Sequence, residues 1–176
     1  MDTVPALKQM ESQLSVACDR VSTLRAKLED LLFRAQRIAA AQKNMMKSND
    51  MMFGYDLQHF RRDVRAMGGE LSSIPTVMGS IERVAAYDDR AAKFAQTVMR
   101  LSMRLSQSLR GLHDMALLAH QHIRAADHKI EAWYMAQDIE EMVMRGQGLP
   151  TSANKIVIAT STPPRGGSPG SAPRVS

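Results

Sequence analysis

Cysteine is nearly absent from this chain: Cys18 is the only one in 176 residues. One thiol closes no intramolecular disulfide and builds no thiolate metal cluster. A reducing compartment is the simpler expectation. Aromatic residues are scarce, at 5% with one Trp and four Phe. Strands favour β-branched and aromatic side chains, so little sheet is expected. No run approaches the roughly 20 apolar residues that span a bilayer as a helix. The opening MDTVPALKQME lacks the basic start and apolar centre of a secretory signal, and Asp2 excludes N-myristoylation. These absences lead us to expect a cytoplasmic protein with no transmembrane segment.

Acidic residues are missing from one region. Gly146 to Ser176 holds Lys155, Arg165 and Arg174 and no Asp or Glu, for a local charge of +3. This stretch is rich in Gly, Pro, Ser and Thr and cannot bury enough apolar surface to offset ordering entropy. We expect a disordered tail over 146–176. Within it, Ile156, Val157 and Ile158 form a short β-prone run that suits a docking peptide, although a remnant without function reads equally well. Thr162-Pro163 and Ser168-Pro169 have the form of proline-directed phosphorylation sites.

The abundant hydrophobic residue of note is methionine, with 14. Met and Leu suit seams between helices, because unbranched side chains keep their rotamers there. The seam itself is visible. From Leu7 the apolar residues recur at alternating steps of three and four: Leu7, Met10, Leu14, Ala17, Val21, Leu24, Leu28, Leu31, Ala35 and Ile38, continuing to Gln42 and Met45. A period near 3.5 keeps one stripe facing a supercoiled partner. We expect a coiled-coil helix over 3–47, capped by Thr3 with Pro5 tolerated in its first turn.

A hinge is expected at 48–54, where Asn49 occupies a seam position and Gly54 closes the run. The methionine pairs around it (Met45, Met46, Met51 and Met52) read as core packing at a helix–helix turn, with an adaptable contact surface as the alternative. A second segment, 55–87, repeats the 4-3 spacing from Leu57 to Ile81. It contains Gly68-Gly69 and Pro75, which predict a break near 67–75, followed by a short helix capped by Ser72 or Ser73. A third helix is expected over 88–145, capped by Asp88 or Asp89 and ended by Arg145-Gly146. Its stripe reads Phe94, Val98, Leu101, Leu105, Leu109, Leu112, Ala116, Ala119, Ile123, Ala126, Ile130 and Trp133. Unbroken, this helix would reach about 85 Å, at about 1.5 Å per residue, so a bend or fold-back at Gly111 is anticipated. The fold class expected is all-α: an elongated bundle of about three helical segments with a disordered C-terminal tail.

Chemistry-bearing constellations are sparse. His113, His120, His122 and His128 do not pair at the three- or four-residue spacing that brings metal ligands together on a helix. There is no Glu-x-x-His of the kind bundle di-metal sites use. The double glycines lack the Lys-Ser/Thr and the strand-to-helix setting of a phosphate loop, and no serine sits in a nucleophile elbow. Cys18 lies beside the seam with no base in register. We therefore expect no catalytic residues, no cofactor, no metal and no small-molecule substrate.

Partner chemistry is written in the positions flanking the seam. On one side stand Gln13, Arg20, Lys27, Arg34 and Ala41; on the other Glu11, Cys18, Arg25, Leu32, Ala39 and Met46. Self-pairing in either orientation sets cations against cations. The flanks call instead for a helix with acids at its own flanking positions. It would come from another subunit or from this chain's later region around Asp138, Glu140 and Glu141. Leu32, Ala39 and Met46 widen the apolar face, which favours three or four helices over a two-stranded rod. The expected function is a non-catalytic subunit or scaffold that joins a larger, hetero-oligomeric complex by helix–helix packing. The alternative is nucleic-acid or anionic-membrane binding by the basic first helix, which has eight basic and four acidic residues between Leu7 and Lys47. In architecture the chain resembles the short helical subunits of tethering, organelle-biogenesis, spindle and kinetochore complexes, and no motif selects one family.

Overall fold

A computed structural model describes residues 3–47, 50–74 and 89–147. Among them the fold is all-α: α1 (Thr3–Lys43), α2 (Phe53–Ser73), α3 (Asp89–Ala125) and α4 (Lys129–Gly146). The tail from residue 148, with Ile156, Val157 and Ile158, lies outside the described residues. So does the short helix expected before Tyr87.

Each helix buries residues at the same spacing. In α1 the ten residues from Leu7 to Ile38 are all between 0% and 6% exposed. α2 buries Phe53, Leu57, Phe60, Val64, Met67 and Leu71, and α4 buries Ala132, Met135, Ile139 and Met142. In α3 the buried set is Ala91, Ala95, Val98, Ser102, Leu105, Leu109, Leu112, Ala116, Ala119 and Ile123. Alternating steps of three and four residues put one apolar stripe of each helix toward a common core.

Contacts between the helices fix their directions. Along α1 and α3, Lys8 sits 5.6 Å over the Phe94 ring, the Cys18 thiol approaches the Leu101 carbonyl at 3.7 Å, and Gln36 meets His122 at 3.5 Å. The numbers rise together, so α1 and α3 are parallel. Along α1 and α2 they run oppositely: Arg20 pairs with Glu70, Lys27 with Asp63 at 2.9 Å and Arg34 with Asp56 at 2.9 Å. α2 and α4 are parallel, with Gly54 against His128, Arg61 bonded to Asp138, and Gly68 against Met142 and Arg145. The molecule is thus two αα-hairpins side by side, α1–α2 and α3–α4, with both turns at one end. The hairpins echo each other in sequence. Asp63-Val64 and Met67 of α2 recur as Asp138-Ile139 and Met142 of α4, while Leu24-Arg25 and Ile38 of α1 recur as Leu109-Arg110 and Ile123 of α3.

Several expectations are corrected. The stretch 88–145 is two helices, not one, and the fold-back comes at Ala126–His128 instead of Gly111, through which α3 continues. Asp127 makes the reversal with φ 70°, a left-handed conformation that Asp tolerates because its short polar chain bonds locally. The turn resets the helical phase, so Ile130 and Trp133, expected on the buried stripe, are 69% and 51% exposed. Phe94 and Leu101 are only partly buried, while Ala91, Ala95 and Ser102 occupy the core. α2 runs through Gly68-Gly69 and ends at Ser73. Ile74 is extended (ψ 120°), as the ring of the following proline demands. Ser72 and Ser73 do not cap a following helix; their hydroxyls donate back to the Gly68 and Glu70 carbonyls in the last turn of α2.

Candidate interaction surfaces

The seam residues Leu7, Met10, Leu14, Ala17, Val21, Leu24, Leu28, Leu31, Ala35 and Ile38 are brought together, and they are enclosed within the chain's own core. Gln42 and Met45 do not continue the stripe; both are exposed, beyond or at the end of α1.

The acids required by the basic flank are on α2. Glu70, Asp63 and Asp56 descend in steps of seven as Arg20, Lys27 and Arg34 ascend in steps of seven, which is the match an antiparallel pair produces. Arg34 is the hub. Its side chain is 14% exposed, and its Nε and Nη2 each donate to Asp50 at 2.7 Å. Its Nη1 reaches Asp56 at 2.9 Å and Asp30 at 3.4 Å, and the guanidinium lies 5.6 Å from the Phe53 ring centroid. Hydrogen bonds from Arg34 hold the Asp50 carboxyl below its ordinary range, with the Met52 N–H contributing, and the same bonds raise the already high Arg34 pKa. The result is a clamp that ties the α1–α2 connection to the side of α1. The later acid that we expected to serve α1, Asp138, instead receives Arg61 at 2.9 Å and Arg65 at 3.1 Å from α2.

The other flank of α1 faces α3. Cys18 is buried, and burial raises its thiol pKa although Arg104 opposes the rise. That keeps the group a thiol at neutral pH, packed in the core. Among the described residues no group of three or more His, Cys, Asp or Glu converges to hold a metal ion. His128 stacks edge-on against Phe53 at 5.1 Å and His59 against Tyr55 at 4.4 Å.

Exposed apolar residues gather at the end that carries both turns. Met45 and Met51 are 95% and 91% exposed, and Met46, Met52 and Tyr55 are more than half exposed. These methionines therefore do not pack in the core of the turn. Phe33, Leu117, Leu118, Ile130, Trp133 and Tyr134, each in the half of its helix toward that end, also face outward. Trp133 and Tyr134 stack edge-on at 5.0 Å, and Arg61 covers the Tyr134 ring. A concentration of large exposed apolar residues at one end points to a contact surface more than to an ordinary exterior. No described helix is long and apolar enough to cross a membrane.

Sequence reasoning missed Arg34 as a hub and the outward Ile130 and Trp133, and it placed core packing ahead of an adaptable surface for Met45, Met46, Met51 and Met52. The first had a signal, the seven-residue spacing of Asp56, Asp63 and Glu70 mirrored against Arg20, Lys27 and Arg34. The second depended on the phase reset at Asp127, which no glycine or proline announces. No protein family, curated protein or solved structure matches the chain.

Proposed function

We propose that the chain is a non-catalytic helical subunit that joins a larger assembly by helix–helix packing on its outer surface. The observation that carries this reading is the cluster of exposed Met and aromatic residues at the turn end, from Met45 and Met51 to Ile130 and Trp133. Methionine adapts to irregular partners, and aromatic residues with a polar rim dominate the energy of protein interfaces. The strict 4-3 burial in every helix supports a coiled-coil-like bundle as the scaffold. Because the α1 seam is filled from within, partner helices would meet the outward stripes, such as Ile130 and Trp133 three residues apart on α4.

The test uses two outward substitutions, Met51→Glu and Trp133→Glu, in the full chain. Helicity and unfolding midpoint should be unchanged, because both side chains are largely in water. Cross-linking mass spectrometry in native extract should map partner cross-links around the turn end of the wild type and lose them in the double variant. Cross-links that persist unchanged on a folded double variant would overturn the proposal.

A further inference from the structure

Folding sorts the charges of this chain by helix. Residues 89–126 carry six basic and two acidic residues, for +4, while 127–147 carry two basic and five acidic, for −3. Read along the sequence, this region is close to neutral; the turn at Asp127 separates its two halves onto different helices. α1 is also basic, but its Arg20, Lys27 and Arg34 are bonded to α2.

The α3 cations are in a different state. Lys93, Arg100 and Arg104 are exposed within about 40° of one another around the helix, and none of the three is in an ion pair among the described residues. With the arm of Arg25 lying over Gly111 on the same side, the line of four cations extends over roughly 26 Å at about 1.5 Å per residue. Arg25 of α1 adds a charge at the border. Its Nη1 lies 3.5 Å from where a Cβ on Gly111 would sit, so the arm rests against α3 where that residue has no side chain, and it holds Glu29 at 3.4 Å. Acids are nearby too: Asp19 of α1 acts on the buried Cys18 thiol from the same neighbourhood as Arg104.

We propose that this face of α3 binds the phosphate backbone of duplex DNA without reading its bases. Three of its four cations are arginine, whose planar fork matches phosphate oxygens in pairs. The stripe covers about eight base pairs at about 3.4 Å each, and a rigid line of cations displaces condensed counterions along such a length. A lipid surface is the poorer fit. Interfacial helices bury a broad apolar face, and between Lys93 and Arg110 the large exposed apolar residue is Met103, at 39%. The proposal stands apart from the assembly reading, which concerns the opposite end of the bundle.

The experiment is fluorescence anisotropy of the full chain with a labelled mixed-sequence duplex of about 16 base pairs, titrated against KCl. Four neutralised phosphates give a log–log salt slope of about −3.6. Arg25→Glu, Arg100→Glu and Arg104→Glu together should weaken binding at least tenfold, at about 50 mM salt, and bring the slope to about −1. Arg62→Glu, exposed on α2, should change neither. The neutral set Arg25→Gln, Arg100→Gln and Arg104→Gln replaces the reversal if circular dichroism shows lost helicity. The proposal fails if the wild type does not bind at low salt, if the folded triple variant binds equally, or if the chain binds phosphatidylserine vesicles and not the duplex.

Discussion

Replacing Arg34 with Met isolates the clamp between α1 and α2. Met retains an apolar stem over Phe53 and removes the guanidinium, leaving Asp50 without its two 2.7 Å bonds. Exposed ion pairs contribute about 0–1 kcal/mol, and breaking a fully buried one costs about 3–5 kcal/mol. Arg34 and Asp50 are 14% and 21% exposed, between these limits, so a loss of about 2 kcal/mol is expected. The Arg20–Glu70 pair supplies the control, because its side chains are 55% and 43% exposed. Arg20→Met should cost no more than about 0.5 kcal/mol. Urea unfolding followed by circular dichroism gives both values, provided the m-value is unchanged. The pH dependence has a definite sign. Asp50 has a lowered pKa in the folded state, so its contribution is complete above the unfolded carboxyl value, near 3.9, and disappears as pH falls through the folded value. The gap between wild type and Arg34→Met should therefore be constant above about pH 5 and close on acidification. A penalty below about 0.5 kcal/mol, or one equal to that of Arg20→Met, would refute the clamp.

Four further single substitutions and one double substitution have signs set by their surroundings. Gly69→Ala should raise the unfolding midpoint, since nothing lies within 4 Å of the added carbon and a helical glycine costs about 0.5–1 kcal/mol. Gly146→Ala should lower it, by about 1–2 kcal/mol, because the carbon would overlap Leu109 Cδ1 in the core; equal signs for the two glycines would contradict the packing. Ser102→Ala should leave stability equal or higher in thermal unfolding, since the fully buried hydroxyl has no hydrogen-bond partner, and a loss above about 1 kcal/mol would show that it has one. Leu28→Ala should cost about 3–4 kcal/mol, and the pair Leu24→Pro with Leu28→Pro should unfold the isolated chain itself, because both leucines belong to its own core.

Legibility in the sequence followed the strength of the local signal. The α1 seam was readable to the residue because ten consecutive positions repeat without interruption, and burial in a bundle enforces that repeat. In α3 the reading slipped by one position at each of two places, since Phe94 and Leu101 are larger than Ala91, Ala95 and Ser102, the small residues that let α1 approach. The need for acids opposite Arg20, Lys27 and Arg34 was legible. Their source was not, because it depends on which helix packs antiparallel against that flank of α1. The turn at Ala126–His128 contains no breaker, so nothing local opposed a continuous helix there. Its consequences, the exposed Ile130 and Trp133 and the separation of charge between α3 and α4, were hidden with it. Gly68-Gly69 misled in the opposite direction: two glycines weaken a helix, yet α2 continues through them because Gly68 is buried against α4 and tertiary packing outweighs propensity.

The central claim is that the α1 seam is closed by this chain's own helices, with α3 parallel to α1. Gln36 and His122 are in contact across that interface, 86 residues apart. Placing a cysteine at each, in a Cys18→Ala background, and treating dilute protein with a short bis-maleimide tests the claim directly. The account predicts cross-linked product of single-chain mass, near 19.5 kDa plus the linker. Product at twice that mass, with no internal cross-link, would show that the seam is closed between chains and would contradict it.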